Sequence, residues 1–313
     1  MKIVFMGTPE FAVPSLQALL AAGHEVDAVV SQPDRARGRG GAVTSPPVKR
    51  EAQRHGLLTL QPERIRSQEA LDRLRRIGPD LAVVVAYGQI LPPSVLGIPR
   101  LGCLNVHASL LPRYRGAAPI HWAIINGEGE TGVTTMWMDE GMDSGPTALQ
   151  AATAIAWDET VGTLHDRLAT LGADLLVETV RRAENGTCPR IPQDASLATR
   201  APLLRPEDEI IRWNRPARAI RDHIRGMNPW PVAHTTAPEG RLKLWAARLA
   251  DPLTPAGGRS PGEVLAADSR GILVQAGQGQ LWLTEVQPPG GRRMPADAYA
   301  RGRAIRPGIR LGG

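Results

Sequence analysis

Through its first two thirds the chain alternates short, continuous apolar runs with longer stretches whose apolar residues recur at helical spacing. Residues 2–6 form the first run and read as a strand. Val13, Leu16, Leu19 and Leu20 then follow a helical period that stops at Gly23, and 26–31 reads as the next strand. Strand, helix and strand in that order predict a right-handed βαβ unit and hence a parallel sheet. A helix is expected at 47–55, a short strand at 57–60 and a charged helix at 68–76. Residues 80–86 are apolar from Leu81 onward, as in a strand covered on both faces. A strand at 102–106 and a helix at 117–126 follow, the helix packing through Ile120, Trp122, Ile124 and Ile125. The run 131–138 alternates as a strand, with Met136 and Met138 assigned to the core. A long amphipathic helix at 160–184 closes this region.

Beyond it the pattern changes. Residues 185–205 are rich in proline and polar residues, keep no period, and read as a linker. A short helical lead is expected at 210–213 and 217–224, then a rigid turn around Asn228, Pro229, Trp230 and Pro231. Five short β runs at 232–236, 242–249, 262–267, 272–276 and 281–286 suggest a small barrel of the OB type. The expected organisation is a Rossmann-like parallel-sheet α/β domain at 1–188, a linker at 189–206 and an OB-like β-barrel domain at 207–313.

Composition narrows the class only modestly. A hydrophobic content of 42% and a charged content of 22% are ordinary for a globular protein. No apolar run approaches the roughly 20 residues a membrane span needs, and a strand at Lys2 leaves no room for a leader, so a cytoplasmic protein is expected. Cys103 and Cys188 lack metal-type spacing and are read as reduced thiols, Cys103 buried in its strand.

The net charge of +6 changes the picture more. From Arg205 onward there are 17 Lys and Arg against 10 Asp and Glu, whereas 1–204 holds 20 against 21. The whole positive surplus sits in the last third, which suggests a polyanionic partner; a merely soluble basic domain is the alternative. At the first strand–helix turn only Gly7 is present, which excludes the G-x-G-x-x-G dinucleotide site, and no Gly-Lys-Ser/Thr follows to make a phosphate loop.

The chemistry concentrates in 104–116, Leu-Asn-Val-His-Ala-Ser-Leu-Leu-Pro-Arg-Tyr-Arg-Gly. Asn105 and His107 lie two positions apart on a strand, so they share a face. At the carboxyl end of a strand in an open α/β sheet, that face looks into the ligand crevice. They are therefore a candidate pair of hydrogen-bonding groups for one reacting atom, set against the plainer reading of a turn-tying Asn and a structural His.

The stretch HASLLPRYRGAAPIHWAI, beginning at His107, resembles the core motif of the folate-dependent formyltransferases, which use 10-formyltetrahydrofolate. The resemblance implies that Asn105 and His107 are catalytic and that Asp143, on the loop 138–145, completes the set. It further implies folate-binding roles for Tyr87, Gly88, Gln89, Ile90 and Leu91 after one strand, for Ser109, Leu110, Leu111 and Pro112 as a wall, and for Asp139 and Glu140 on the loop before Asp143. Asp139, Glu140 and Asp143 could also suggest a divalent metal. No second carboxylate cluster or paired His accompanies them, so no metal is expected.

One loop points to the acceptor. Residues 32–47, QPDRARGRGGAVTSPP, carry Arg35, Arg37 and Arg39 on a glycine-rich backbone far longer than the usual strand–helix connection. Such a loop suits phosphate contacts with ordering on binding; a plain surface loop is the alternative. The pattern QPDR, GRG, PVK is similar to the branch of the family that formylates methionylated initiator tRNA, where a loop at this position is thought to wedge against the acceptor end and Arg39 matches the functional arginine. Gly40, Gly41 and Ala42 stand where that branch often has lysines. The resemblance extends to the turn at Asn228–Pro231 and an OB-like second domain, in a protein expected to be monomeric. The few aromatic residues there (among them Trp230, Trp245, Trp282 and Tyr299) favour contacts to the nucleic-acid backbone over base stacking. The nearest rival is a formyltransferase acting on an amino-sugar nucleotide, against which the arginine loop and the basic last third discriminate. A formyltetrahydrofolate hydrolase would not need a basic domain, and a non-catalytic RNA-binding protein would not need Asn105, His107 and Asp143.

Overall fold

The computed structural model describes residues 1–37, 42–250, 258–303 and 305–312. Packing divides the chain into two compact units. The first comprises Met1–Pro119, Glu130–Ala154 and His165–Ala201; the second comprises Ile120–Gly129, Ile155–Leu164 and Pro202–Gly313.

Through the first stretch the elements run β1 (Lys2–Gly7), α1 (Val13–Ala21), β2 (Glu25–Val30), β3 (Arg35–Arg37), β4 (Ala42–Thr44), α2 (Pro47–Arg54) and β5 (Thr59–Leu60). There follow α3 (Gln68–Ile77), β6 (Leu81–Val85), α4 (Pro93–Leu96), β7 (Cys103–His107), α5 (Pro119–Ile125), β8 (Glu130–Trp137), β9 (Thr147–Ala154) and α6 (Val161–Glu184). Seven strands form one sheet in the order β5-β2-β1-β6-β7-β8-β9. β1 and β6 occupy its middle, and Ile3, Val4, Phe5, Leu81, Ala82 and Val83 are wholly shielded from solvent, which is why both read as unbroken apolar runs.

The sheet is parallel from β5 to β7, as the βαβ opening predicts. It is antiparallel at β8 and β9. The sequence pattern does not reveal β9. Its residues TALQAATA carry little β propensity, and from Leu149 to Ala154 half-buried and exposed positions alternate as on an edge strand. β8 is buried at every position but Glu130, rather than alternating as its sequence suggests, because α6 covers one face at Val133 and Thr135 and the motif segment covers the other at Thr134.

The second unit adds α7 (Ala217–Gly226), β10 (His234–Ala237), β11 (Gly240–Leu249), β12 (Val264–Asp268), β13 (Gly271–Gln275), β14 (Gln280–Gln287), β15 (Met294–Pro295) and α8 (Ala296–Arg303). All five expected strands are present, antiparallel in the order β10-β11-β14-β13-β12, with β15 on β14. Their inward residues Leu242, Leu244, Ile272, Val274, Leu281 and Leu283 close on Ile220 and Ile224 of α7. The expected helical lead at 210–213 is absent: Ile210 instead bridges to His234, and the helix begins only at Ala217. Arg221, buried, binds the Asp158 carboxylate at 2.7 Å and covers the Trp157 ring at 4.0 Å, which ties the segment Ile155–Leu164 into this unit. Guanidinium groups also cover two other rings, Arg270 over Trp282 at 4.3 Å and Arg293 over Trp245 at 4.6 Å. Among the described residues no helix is long and apolar enough to cross a membrane.

Candidate active site

β7 ends at His107, which pairs with Thr134 of β8, while Asn105 lies between Val84 of β6 and Met136 of β8. Asn105 and His107 therefore share one face, at the edge where the parallel strands β6 and β7 end together. Asn105 is half-exposed and His107 only 6% exposed.

Hydrogen bonds assign the imidazole. The Ser109 hydroxyl donates to the Arg113 carbonyl at 2.7 Å, so its hydrogen is spent. It can then only accept from His107 Nδ1, 3.0 Å away. The opposite nitrogen, Nε2, faces two more acceptors, Asp143 Oδ2 at 3.3 Å and the Gly116 carbonyl at 3.4 Å. The cradle offers the ring acceptors at both nitrogens and is fully complementary when both carry hydrogen.

Asp143 reaches this position on the loop between β8 and β9. Its backbone adopts φ 52°, the left-handed region that aspartate tolerates better than most residues. Gly145 lets the loop pass the Trp137 carbonyl, with which any Cβ would collide. Asp139 accepts from the Gly141 N–H at 3.0 Å and from Ser144 Oγ at 3.0 Å, so its carboxylate holds the loop itself. Burial opposes ionisation of Asp143. His107, the Gly116 N–H at 2.8 Å and the charge of Arg115 outweigh it and hold the carboxyl below the ordinary carboxylate range.

Beneath the motif lies a polar support, buried at Thr134 and exposed at Gln150. Thr134 donates to the Ser109 carbonyl at 2.7 Å and accepts from the Leu111 N–H at 3.1 Å. Gln150 of β9 donates to the Leu111 carbonyl at 2.7 Å. Neither residue is marked as functional by its sequence context, and Gln150 sits on a strand the pattern does not reveal.

The expected folate wall is distributed unevenly. Tyr87 is 2% exposed, and its hydroxyl has no hydrogen-bond partner among the described residues; burial raises its pKa above the ordinary tyrosine value. Gly88 has φ 91°. The Gln89 side chain is engaged elsewhere, accepting from the Ile65 N–H at 2.8 Å and donating to the Pro62 carbonyl at 3.2 Å. Ile90 is 87% exposed, while Leu91 is buried. Ser109 and Leu111 are buried, Leu110 and Pro112 half-buried, and Glu140 exposed. Cys103 is buried in β7 and its thiol is pushed up to about 12, which makes it inert. A cavity of about 430 Å³ lies instead beside β5 and α3, among Gln61, Pro62, Ile65 and Arg73, and includes none of these residues. Among the described residues no cluster of His, Cys, Asp or Glu is arranged to hold a metal ion.

The arginine loop starts from a clamped base. Asp34 binds Lys49 at 2.8 Å, Gln61 at 2.7 Å and Ser45 at 3.1 Å, joining the QPDR and PVK ends of the pattern. The hydrogen bonds from Gln61 and Lys49 hold the Asp34 carboxyl below its ordinary range. β3 and β4 pair antiparallel above this clamp, with Arg35, exposed, opposite Thr44. The Arg37 backbone belongs to β3, and Arg39 lies outside the described residues.

The two-unit chain matches known proteins along nearly its whole length. Residues 1–180 match the formyl transferase family model, and 203–304 match that of the formyl transferase C-terminal domain. The chain belongs to the formyl transferase family. Within that family it is 54% identical to the methionyl-tRNA formyltransferase of Moorella thermoacetica, across 100% of this chain and 99% of the relative. It is 53% identical to the methionyl-tRNA formyltransferase of Symbiobacterium thermophilum, across 99% and 95%. Among solved structures the fold is shared with the N-formyltransferase from Helicobacter canadensis, in complex with folinic acid and dTDP-3-aminofucose, at TM-score 0.65 and 17% identity over 90% of this chain and 98% of that one. It is shared too with HypX from Aquifex aeolicus in complex with tetrahydrofolic acid, at TM-score 0.64 and 17% identity, covering 96% of this chain and 47% of HypX. The formyl transferase family uses folate.

Proposed function

We infer that this formyl transferase moves a formyl group from 10-formyltetrahydrofolate to the α-amino group of methionylated initiator tRNA. The acceptor is supported by one observation above the others: similarity near 50% over the full chain, second unit included, to enzymes named for methionyl-tRNA. The sugar-acting neighbour shares the fold at 17% identity and no more. The uneven charge agrees, since the surplus of cations falls in the last third of the chain.

The transfer makes one C–N bond, breaks another, and moves a proton from the attacking to the leaving nitrogen. An α-amino group with a pKa of about 7.7–8.0 already has a usable neutral fraction near neutral pH, so no strong base is required. What remains is to stabilise the charge gathering on the formyl oxygen and to carry the proton. Asn105, half-exposed at the strand end, donates its amide N–H to that oxygen. His107 shares its face and serves as second donor or proton carrier. Asp143 holds His107 through Nε2 and fixes the direction of its ring.

Folate, when bound, supplies the one-carbon unit. The residues present suit it: a buried Tyr87 hydroxyl awaiting a partner, and two exposed apolar side chains, Ile90 and Met142, on the loops after β6 and β8. Backbone groups of 87–91, of the loop 138–145 and of the wall 109–112 hold the pterin, with Asp139 shaping its loop. Arg35, Arg37 and Arg39 meet the tRNA.

The deciding experiment offers the protein 10-formyltetrahydrofolate labelled on the formyl carbon, with methionylated initiator tRNA and a dTDP-amino sugar in competition. Label is expected on the tRNA. Preferential labelling of the sugar would sink the assignment.

A further inference from the structure

The stretch that reads as a linker is strapped along the catalytic motif. Ile191 exchanges hydrogen bonds with Thr147 at 2.8 and 2.9 Å. Thr199 accepts from the Tyr114 N–H through its hydroxyl at 2.8 Å and from the Arg115 N–H through its carbonyl at 2.9 Å. Ala201 donates to the Arg115 carbonyl at 2.7 Å and accepts from the Ala118 N–H at 3.1 Å. Most of the strap is solvent-exposed, but Gln193 turns inward and is half-buried.

Every hydrogen-bonding capacity of the Gln193 amide is used at the catalytic loops. Nε2 donates to the Asp143 carbonyl at 2.8 Å and to the Gly145 carbonyl at 2.7 Å. Oε1 accepts from Arg115 Nε at 3.1 Å and Nη2 at 2.7 Å. A single amide therefore pins the backbone on both sides of Ser144 and docks it on the motif loop through Arg115. The pinned turn includes Asp143, whose left-handed φ of 52° needs support from its surroundings. Arg115 is also placed so that its charge bears on the Asp143 carboxylate. The groups facing that carboxylate are His107 from β7 and Arg115 with the Gly116 N–H from the motif loop.

We propose that Gln193, acting with Arg115, is the positioning residue that aims Asp143 at His107. This rests on the catalytic reading of His107 and Asp143. Gln193 itself touches no reacting atom. Its effect passes through the backbone of 143–145, and a displacement of about 1 Å there is enough to cost up to about 10²-fold in turnover.

The test is a mutant cycle on kcat and KM for formyl transfer to methionyl-tRNA, with Gln193→Ala, Asp143→Asn and the double variant. Gln193→Ala is expected to lower kcat at least about 10-fold with KM for tRNA little changed, and to add almost nothing once Asp143 is Asn, because coupled residues are not additive. Gln193→Glu, which keeps an acceptor for Arg115 but has no hydrogens for the two carbonyls, is expected to behave like Gln193→Ala. Multiplying losses in the double variant, or an unchanged kcat in Gln193→Ala, would overturn the positioning role while leaving Asp143 in place. A near-normal kcat in Asp143→Asn would overturn the catalytic reading and this proposal with it. If Gln193→Ala fails to fold, Arg115→Lys serves instead, keeping the charge without the guanidinium fork, with the same two expectations.

Discussion

His107 and Asp143 meet at 3.3 Å through Nε2 and Oδ2, one from the end of β7 and the other from the loop that joins β8 to β9. The contact is made where the parallel part of the sheet gives way to its antiparallel edge. The aspartate is thus delivered by a β hairpin turn rather than by a strand end. The neighbouring Asn105 needs no such delivery, since alternation along β7 places it beside His107.

Asn105→Ala removes the amide proposed to meet the formyl oxygen. Loss of a single oxyanion donor typically costs about 10²–10³ in turnover. Expected, then, is a fall in kcat of that order with tetrahydrofolate binding retained, measured by steady-state kinetics and by titration of the folate. A near-normal kcat would remove Asn105 from the chemistry.

Ser109→Ala leaves His107 Nδ1 without the acceptor it has at 3.0 Å, in a position that is wholly buried. An unsatisfied buried donor costs about 1–3 kcal/mol. Chemical unfolding should show a loss in that range, and kcat should fall through misorientation of the ring. Full stability with full activity would show that the imidazole does not depend on this hydroxyl.

Asp143 sets a pH dependence with a definite sign. Its carboxyl lies below the ordinary carboxylate range, so its stabilising contribution is fully present above the unfolded value of about 3.9 and is lost as pH falls through the lower folded value. The unfolding free-energy difference between the parent and Asp143→Asn should therefore be flat above about pH 5 and shrink below it. A difference that grew on acidification would contradict the lowered pKa.

Gly116→Ala tests the strap from its other side. Gly116 has φ 126°, and a Cβ there would stand 2.5 Å from the Ala201 carbonyl. Backbone in such a region costs about 1–3 kcal/mol for a residue with a side chain. The variant should unfold more easily by at least that amount and lose activity, because the Gly116 N–H that holds Asp143 moves with it. Unchanged melting would mean that the strap yields freely.

Arg39→Ala addresses the acceptor. It should raise KM for tRNA while sparing folate binding. The dependence of log affinity on log salt should also flatten, by about 0.7–0.9 for each phosphate that the variant no longer neutralises. Identical salt slopes for parent and variant would leave the loop without a role in binding.

Much of this protein was legible before folding. The apolar runs at β1, β6 and β7 mark strands covered on both faces, and five short runs mark the antiparallel sheet of the second unit, because burial leaves a local signature in residue type. Asn105 and His107 belong together for the same local reason, their spacing on one strand. β9 stayed hidden because an edge strand of alanine, threonine and glutamine is defined by its pairing with β8 and not by its own side chains. The helical reading of 210–213 failed because a bridge to His234 outweighs weak local propensity.

Tertiary structure alone placed Gln193 against Asp143. A hydrogen bond between a side-chain amide and a distant carbonyl obeys no period and leaves no mark in composition, so an irregular, proline-rich stretch conceals it. It likewise decided the donor and acceptor roles around His107. Those depend on where the single hydrogen of Ser109 is spent, on the Arg113 carbonyl, and that is settled only once the motif loop has closed on itself.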